Sequence, residues 1–332
     1  MKIGNIDLGD KPLFLAPMEE VTDPSFRYIC KQYGADMMYT EFISSDGLIR
    51  DARTSLKKLD LYDYERPIGI QLYGHLTHAM VEAAKIAEAA GPDVIDINFG
   101  CPVRKIVNRG AGSGMMNNVP LMVAMTKAIV DAVKLPVTVK TRLGYDDQNK
   151  NIVDIAERLQ DTGIKALTIH GRTRSQMYKG SADWTLIGEI KNNQRMHIPI
   201  IGNGDITSPE IAKERFDTYG VDGIMIARAT YGRPWIFNEI KHFLKTGEHM
   251  SPLTIAEKVE LAKSHLSKSF ELKGAPRGIY EMRRHLTNYF KNLSHFKEIR
   301  MKLVTSPDIE ELINILDSIA VQYQDNEDII NL

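Results

Sequence analysis

Cysteine is scarce in this chain, with two in 332 residues. That excludes a disulfide framework and suits a reducing compartment, so the expected location is the cytoplasm. A run of about 18 apolar residues is absent, so no membrane span is expected. No apolar stretch follows Lys2 in MKIGNIDLGDK, which therefore does not read as a secretory signal. A net charge of one sign is also missing: the formal value is −1, so any attraction for nucleic acid must be local. No internal repeat and no low-complexity segment interrupts the chain. What is present is ordinary for a soluble globular protein, with 43% hydrophobic and 26% charged residues, enough to fill a large core. The length suits two average domains, or one α/β barrel with an extension.

Eight short β-rich runs alternate with helical patterns over the first 230 or so residues. They are LFLAP (13–17), MMYTE (37–41), IGIQL (68–72), DVIDIN (93–98), PVTVKT (136–141), ALTIH (166–170), IPIIGN (198–203) and VDGIMIA (221–227). Most are continuously apolar, as parallel strands covered on both faces should be. Residues 77–91 and 119–133 read as amphipathic helices, the first with Gly91 as its C-terminal cap. Eight βα units in series predict a (β/α)8 TIM barrel. Strand count does not prove closure, so a doubly wound sheet of eight strands is the alternative.

From residue 251 onward strand patterns are lacking. Helical patterns cover 252–272, 276–293 and 308–323, with Pro252, Pro276 and Pro307 near their starts. The expected division is a catalytic barrel over 1–245 and a small all-helical domain over 246–332. Residues 251–304 hold 11 Lys and Arg against 5 Asp and Glu, whereas 305–332 hold 7 Asp and Glu and no Lys or Arg. Overall neutrality therefore conceals a basic helical surface and an acidic tail.

In a barrel, chemistry gathers where strands end. The residues there are Met18, Glu41, Gln71, Asn98 with Cys101, Lys140 with Arg142, His170, Asn203 and Arg228. Singly, each also suits a hydrogen-bonded loop; around one mouth they make a candidate site. Cys101 lies between Gly100 and Pro102 just beyond a strand, where a thiol can meet a ligand, though packing would use a cysteine there too. Lys140 ends a buried strand and needs an anionic partner. That partner is either a structural carboxylate such as Glu41 or Asp96, or an electron-rich ligand such as a flavin ring. IGNGD (201–205) and MIARAT (225–230) follow the last two strands, where barrels often bind phosphate; Gly204 would admit close backbone approach and Arg228 would add charge. GAGSG (110–114) is neither a dinucleotide fingerprint nor a P-loop. The loop from Cys101 to Gly114 is expected to be mobile, with Arg104, Lys105 and Arg109 as phosphate contacts or simply solvated cations.

Together these segments resemble the tRNA-dihydrouridine synthase family. The matching pieces are LAPMEEVTDPSFR (15–27), QLYG (71–74), DINFGCPVRKI (96–106), GAGSGMM (110–116), VKTRLG (139–144), IHGRTRSQMYKGSADW (169–184), IGNGDI (201–206) and ARATYGRPWIF (227–237). The resemblance implies FMN across the barrel mouth, contacted by Ala16, Pro17, Met18, Gln71, Lys140 and His170. Asn203, Gly204, Asp205, Ala227 and Arg228 would hold its phosphate end. Cys101 would be the general acid, and Asn98 and Arg142 would orient the target uracil. NADPH is the implied reductant, and the implied reaction saturates the C5–C6 double bond of a uridine in tRNA.

The family's first motif often carries small residues where Glu19 and Glu20 stand here, so the orientation of these acids matters to an anionic flavin. A uridine stacked in RNA must be turned out of the stack to react. The rest of the tRNA would be gripped through phosphates by Arg277, Arg283, Arg284, Lys291, Lys297 and Arg300, with Tyr280, Tyr289 and Phe290 interleaved. The expected partner is tRNA, engaged by a monomer, with no metal and no membrane. The alternative enzyme is a dihydroorotate- or dihydropyrimidine-dehydrogenase-like flavoprotein acting on a free pyrimidine. A non-catalytic RNA-binding barrel is the alternative outside enzymes.

Overall fold

The computed structural model describes residues 1–324. Its eight barrel strands are β1 (Leu13–Leu15), β2 (Met38–Tyr39), β3 (Ile68–Tyr73), β4 (Val94–Asn98), β5 (Val137–Arg142), β6 (Ala166–His170), β7 (Ile200–Asn203) and β8 (Gly223–Ile226). Each pairs in parallel with the next from β2 to β8, and β8 pairs with β1. A parallel bridge between Phe14 and Met37 joins β1 to the start of β2 and completes the ring. Closure decides for the barrel over the doubly wound sheet.

Helices cover the outside: α1 (Pro24–Gln32), α2 (Thr77–Ala89), α3 (Val119–Ala132), α4 (Ile152–Gln160), α5 (Thr185–Asn192), α6 (Pro209–Tyr219) and α7 (Ile236–Thr246). As predicted, Gly91 follows α2 in a left-handed conformation, at φ +77°. The connection from β2 to β3 breaks the βα rule. It holds an extra two-residue strand, Ile43–Ser44, on the edge of β3, then two four-residue helices, Ser45–Leu48 and Arg53–Leu56.

Strand periodicity sorts the barrel interior into layers, because side chains two apart share a face. Phe14, Tyr39, Val94, Ala166, Ile201 and Met225 pack inside, with Ile3 and Leu8 of the N-terminal hairpin beside them. Two residues further along the strands the interior turns polar, at Gln71, Asp96 and Thr138. Another step reaches Asn98, Lys140 and His170. The outward residues pack against the helices in a larger core.

Four helices follow: α8 (Ile255–Lys273), α9 (Arg277–Tyr289), α10 (Lys297–Thr305) and α11 (Ile309–Gln322). Their buried faces form a separate apolar cluster that also takes in Ile29 of α1 and Trp235 before α7. α10 was not foreseen, because only Leu303 in it is buried and one residue makes no stripe. The three prolines lie just outside their helices rather than in the first turns. Thr254 and Glu257 form a capping box for α8, and Asp308 caps α11. Part of the acidic tail, including Asp325, Glu327 and Asp328, lies outside the described residues.

Candidate active site

A cavity of about 750 Å³ opens at the C-terminal ends of the strands. Ala16, Pro17, Met18, Asn98, Cys101, Lys140, Arg142, His170, Asn203, Gly204, Asp205, Ala227 and Arg228 all line it. The barrel thus brings together thirteen residues spread over more than 200 positions. Gln71 is not on the wall: it is fully buried one layer below. Glu41 faces a neighbouring groove of about 680 Å³ between the barrel and the helices.

Cys101 is 7% exposed. Its N–H and that of Gly100 both donate to Asn98 Oδ1 at 2.9 Å. Its carbonyl accepts from Ser113 N–H at 3.0 Å and Ser113 Oγ at 2.8 Å. The peptide is therefore clamped on both sides. Burial raises the thiol's pKa above its ordinary value, so it stays protonated at neutral pH, although the Val103 N–H, Arg142 and Lys140 pull the other way. The loop beyond it, expected to be mobile, is folded: Arg104–Val107 is helical and Gly112 and Ser113 are buried. Gly112 has φ +56°, and a Cβ there would sit 2.8 Å from the Cys101 carbonyl, so this glycine lets the loop close against the cysteine. Lys105 and Arg109 are exposed and outside the cavity lining.

Lys140 Nζ donates to Asn203 Oδ1 at 3.2 Å, and among the described residues it forms no salt bridge with a carboxylate. Neither Glu41 nor Asp96 is its partner. Burial lowers its pKa to about 8, with Arg142 adding to the effect and Asp96 opposing it. Arg142 donates Nε to Gly100 O at 2.6 Å and Nη1 to Thr173 O and Met177 O at 3.0 and 2.9 Å. Its Nη2 has no partner among the described residues. Burial and the nearby cations Arg142, Lys140, Arg172 and Arg228 push His170 well below the usual imidazole range, so the ring is neutral. Arg172 Nη1 lies 3.4 Å from His170 Nε2; a guanidinium can only donate, which leaves the ring proton on Nδ1.

Asp205 receives Arg172 through two nitrogens at 3.0 and 2.7 Å, Arg228 at 3.1 Å and Ala182 N–H at 2.7 Å. Burial opposes ionisation, but these donors hold its pKa below the ordinary carboxylate value. Asp205 thus positions two arginines, and its carboxylate is not placed to receive an anion itself. Arg172 was missed from sequence although it sits two residues past His170, on the parity that faces the mouth. Tyr178 was also missed. It lies 5.8 Å from the Arg142 guanidinium and 5.1 Å from that of Arg228, ring centre to carbon, in a loop whose sequence carries no periodic signal.

The two acids of the first turn are occupied. Glu19 pairs with Lys58. Glu20, at φ +59°, accepts from Arg284 through its carbonyl at 2.6 Å and its carboxylate at 3.2 Å. Arg284 therefore straps α9 to the barrel instead of facing solvent alone. Arg283 lies over the Tyr280 ring at 4.3 Å and donates to Thr305 O at 3.3 Å. Tyr289 and Phe290 are core residues. Among the described residues, no group of three or more His, Cys, Asp or Glu is arranged to hold a metal, and no helix is long and apolar enough to cross a membrane.

Fold and site together define a (β/α)8-barrel enzyme with one buried thiol and a cluster of cations at its mouth. The dihydrouridine synthase family model matches residues 14–324, and the chain belongs to that family. It is 41% identical over 301 residues to a probable tRNA-dihydrouridine synthase of Rickettsia conorii, covering 90% of each chain. It is 40% identical over 311 residues to tRNA-dihydrouridine synthase B of Pseudomonas putida, covering 93% of this chain and 91% of the relative. Solved structures share the fold at low identity. A 2-naphthoyl-CoA reductase complex aligns with TM-score 0.57 at 13% identity, over 73% of this chain and 51% of the other. An old yellow enzyme homologue from Zymomonas mobilis aligns with TM-score 0.51 at 15% identity, over 75% and 92%.

Proposed function

We propose that this chain is a flavin-dependent tRNA-dihydrouridine synthase that carries FMN and is reduced by NADPH. The observation that carries the reading is the Lys140 ammonium. It is partly buried at a cavity wall, has no carboxylate partner among the described residues, and shares that cavity with a protonated thiol. An ammonium in that position calls for an electron-rich ligand. The residues fit a flavin. Lys140, Arg142, Arg172 and Arg228 set four cations around the mouth, while the carboxylates there, Glu19 and Asp205, are already paired. Gly204 has φ +127°, and a Cβ on it would lie 2.7 Å from Ala182 Cβ and 3.1 Å from the His170 ring, so only glycine lets this turn close against them at the cavity wall.

In this reading Ala16, Pro17 and Met18 lie along the ring system, Lys140 meets its electron-rich edge, and Asn203, Gly204, Ala227 and Arg228 take the phosphate. A flavin held there would supply hydride chemistry at C6 of the uracil. Cys101 supplies the proton at C5, because burial keeps its thiol loaded at neutral pH and its peptide is held still. Asn98 spends its amide oxygen and one N–H within the fold, so its second N–H and Arg142 Nη2 are the donors left for a uracil carbonyl.

The helical domain, proposed as 246–332, would dock the RNA. Of its cations, Lys263, Lys268, Lys273, Arg277 and Arg284 pair with carboxylates. Arg283, Lys291, Lys297, Arg300 and Lys302 have none among the described residues, and they form the phosphate platform proposed here.

The test is direct. The purified protein should be yellow and should form dihydrouridine in tRNA with NADPH, but should not reduce free uracil or oxidise dihydroorotate. A colourless protein, or one that prefers the free pyrimidine, would sink the reading.

A further inference from the structure

We propose that Asp96 is a positioning residue for Cys101, acting through an ordered chain of two amides, Gln71 and Asn98. This deepens the reading above and rests on it for the role of the thiol. Asp96 Oδ1 accepts from Thr138 Oγ at 2.6 Å, and Oδ2 accepts from Gln71 Nε2 at 2.6 Å. Gln71 Oε1 accepts from Asn98 Nδ2 at 2.8 Å. Asn98 Oδ1 then accepts the N–H groups of Gly100 and Cys101.

The direction of this chain is forced at both ends. A carboxylate can only accept, so Gln71 must turn its nitrogen toward Asp96 and its oxygen toward Asn98. Backbone N–H groups can only donate, so Asn98 must turn its oxygen toward Cys101. Two amides span an acceptor-only end and a donor-only end, and one arrangement alone satisfies every bond. Asp96, Gln71 and Asn98 are 1%, 0% and 7% exposed, so water cannot readily substitute for a lost partner. Burial raises the Asp96 pKa to about 6, against the hydrogen bonds from Thr138 and Gln71 and the field of Lys140; it is therefore an anion, hence an acceptor, at neutral pH. The barrel's parity makes the chain possible: Asp96 and Asn98 share the inward face of β4, and Gln71 and Asp96 are register partners.

The test measures Cys101 directly. The flavin-loaded protein is treated with iodoacetamide and followed by intact mass; Cys30 is fully buried, so the label reports Cys101. Asp96→Ala should leave flavin content and the KM for tRNA near wild type. It should change the alkylation rate severalfold and lower kcat about 10- to 100-fold, the scale of an ångström-level misplacement. Asp96→Asn keeps an acceptor for Gln71 by turning its nitrogen to Thr138, and should return both readouts to within about threefold. If Asp96→Ala does not fold, Gln71→Met cuts the same chain at similar volume and should show the same two changes. Wild-type alkylation and kcat in the folded variant would overturn the proposal. So would a loss of flavin and stability with unchanged alkylation in the loaded fraction. If wild type forms no dihydrouridine but alkylation still responds to Asp96, the chain stands and the functional reading falls.

Discussion

The barrel mouth and the seam between barrel and helical domain are built from the same charged residue types, yet they treat charge in opposite ways. At the seam the charges that bridge barrel and helices have their opposites within the chain. Asp23 and Lys273 meet at 2.6 Å, Lys273 also meets Glu281 at 2.6 Å, Glu281 meets Arg277, and Glu20 meets Arg284. Although burial opposes it, Lys273 helps hold the Asp23 carboxyl well below the usual range. At the mouth, Lys140 has an amide oxygen and Arg142 has three carbonyls, with no carboxylate for either. Paired charge is architecture, and charge left with neutral partners at a cavity wall is an offer to a ligand. The contrast also explains why Glu19 and Glu20, which sit beside the proposed flavin position, do no harm there: Lys58 and Arg284 have already drawn them aside.

Four substitutions sharpen or break this comparison. The largest effect is expected at the mouth, from Cys101→Ala. Dihydrouridine formation should drop by about 10²- to 10⁴-fold, the usual contribution of a general acid, with flavin absorbance retained. Normal turnover would remove the thiol from the chemistry. Next comes the seam. Lys273→Met strips the partner from nearly buried Asp23, and one of two partners from half-buried Glu281, and should cost about 3 kcal/mol in urea unfolding, while bound flavin stays. A stability loss below about 1 kcal/mol would mean the seam charges are not structural in the sense argued.

Lys140→Met should show the reverse pattern, with flavin binding weakened about tenfold and stability unharmed, because a cation lacking a carboxylate is removed. The sign of its pH dependence follows from the lowered pKa. Below about pH 8 Lys140 is charged and attracts the ligand. Above that value binding must take up a proton, so wild-type flavin affinity should decline as pH rises through 8 and the Met variant should not follow. The smallest effect belongs to the platform. Arg283→Ala should weaken tRNA binding a few-fold and reduce the salt slope by about one unit. An unchanged slope would take Arg283 out of the phosphate contacts.

Much of this was legible before the fold was known. The eight strands were visible because parallel strands buried on both faces are written as continuous apolar runs, and each lies within a few residues of its expected place. Met18, Asn98, Cys101, Lys140, Arg142, His170, Asn203 and Arg228 were visible because each stands at the end of such a run, and a series of strand-end residues around one mouth points to a site where any one of them alone would not. Less could be read where a residue's role depends on a partner distant in sequence. Gln71 looked like a wall residue, but its side chain is taken up by Asp96 and Asn98, 25 and 27 positions away. Arg284 looked like a free cation, but its partner lies 264 positions away. The loop from Cys101 to Gly114 looked mobile because its glycines report conformational freedom without saying which neighbour requires it.

Composition, periodicity and motif order were enough to predict the barrel, to point to the family and to single out Cys101 as the candidate thiol, because these depend on local pattern and on which residue stands at each strand end. The tertiary structure decided which charges are neutralised, which amides are turned which way, and which side chains reach the cavity. Those outcomes depend on closing a ring of strands that brings residues hundreds of positions apart within hydrogen-bonding distance, where burial makes each missing partner costly and each remaining donor available.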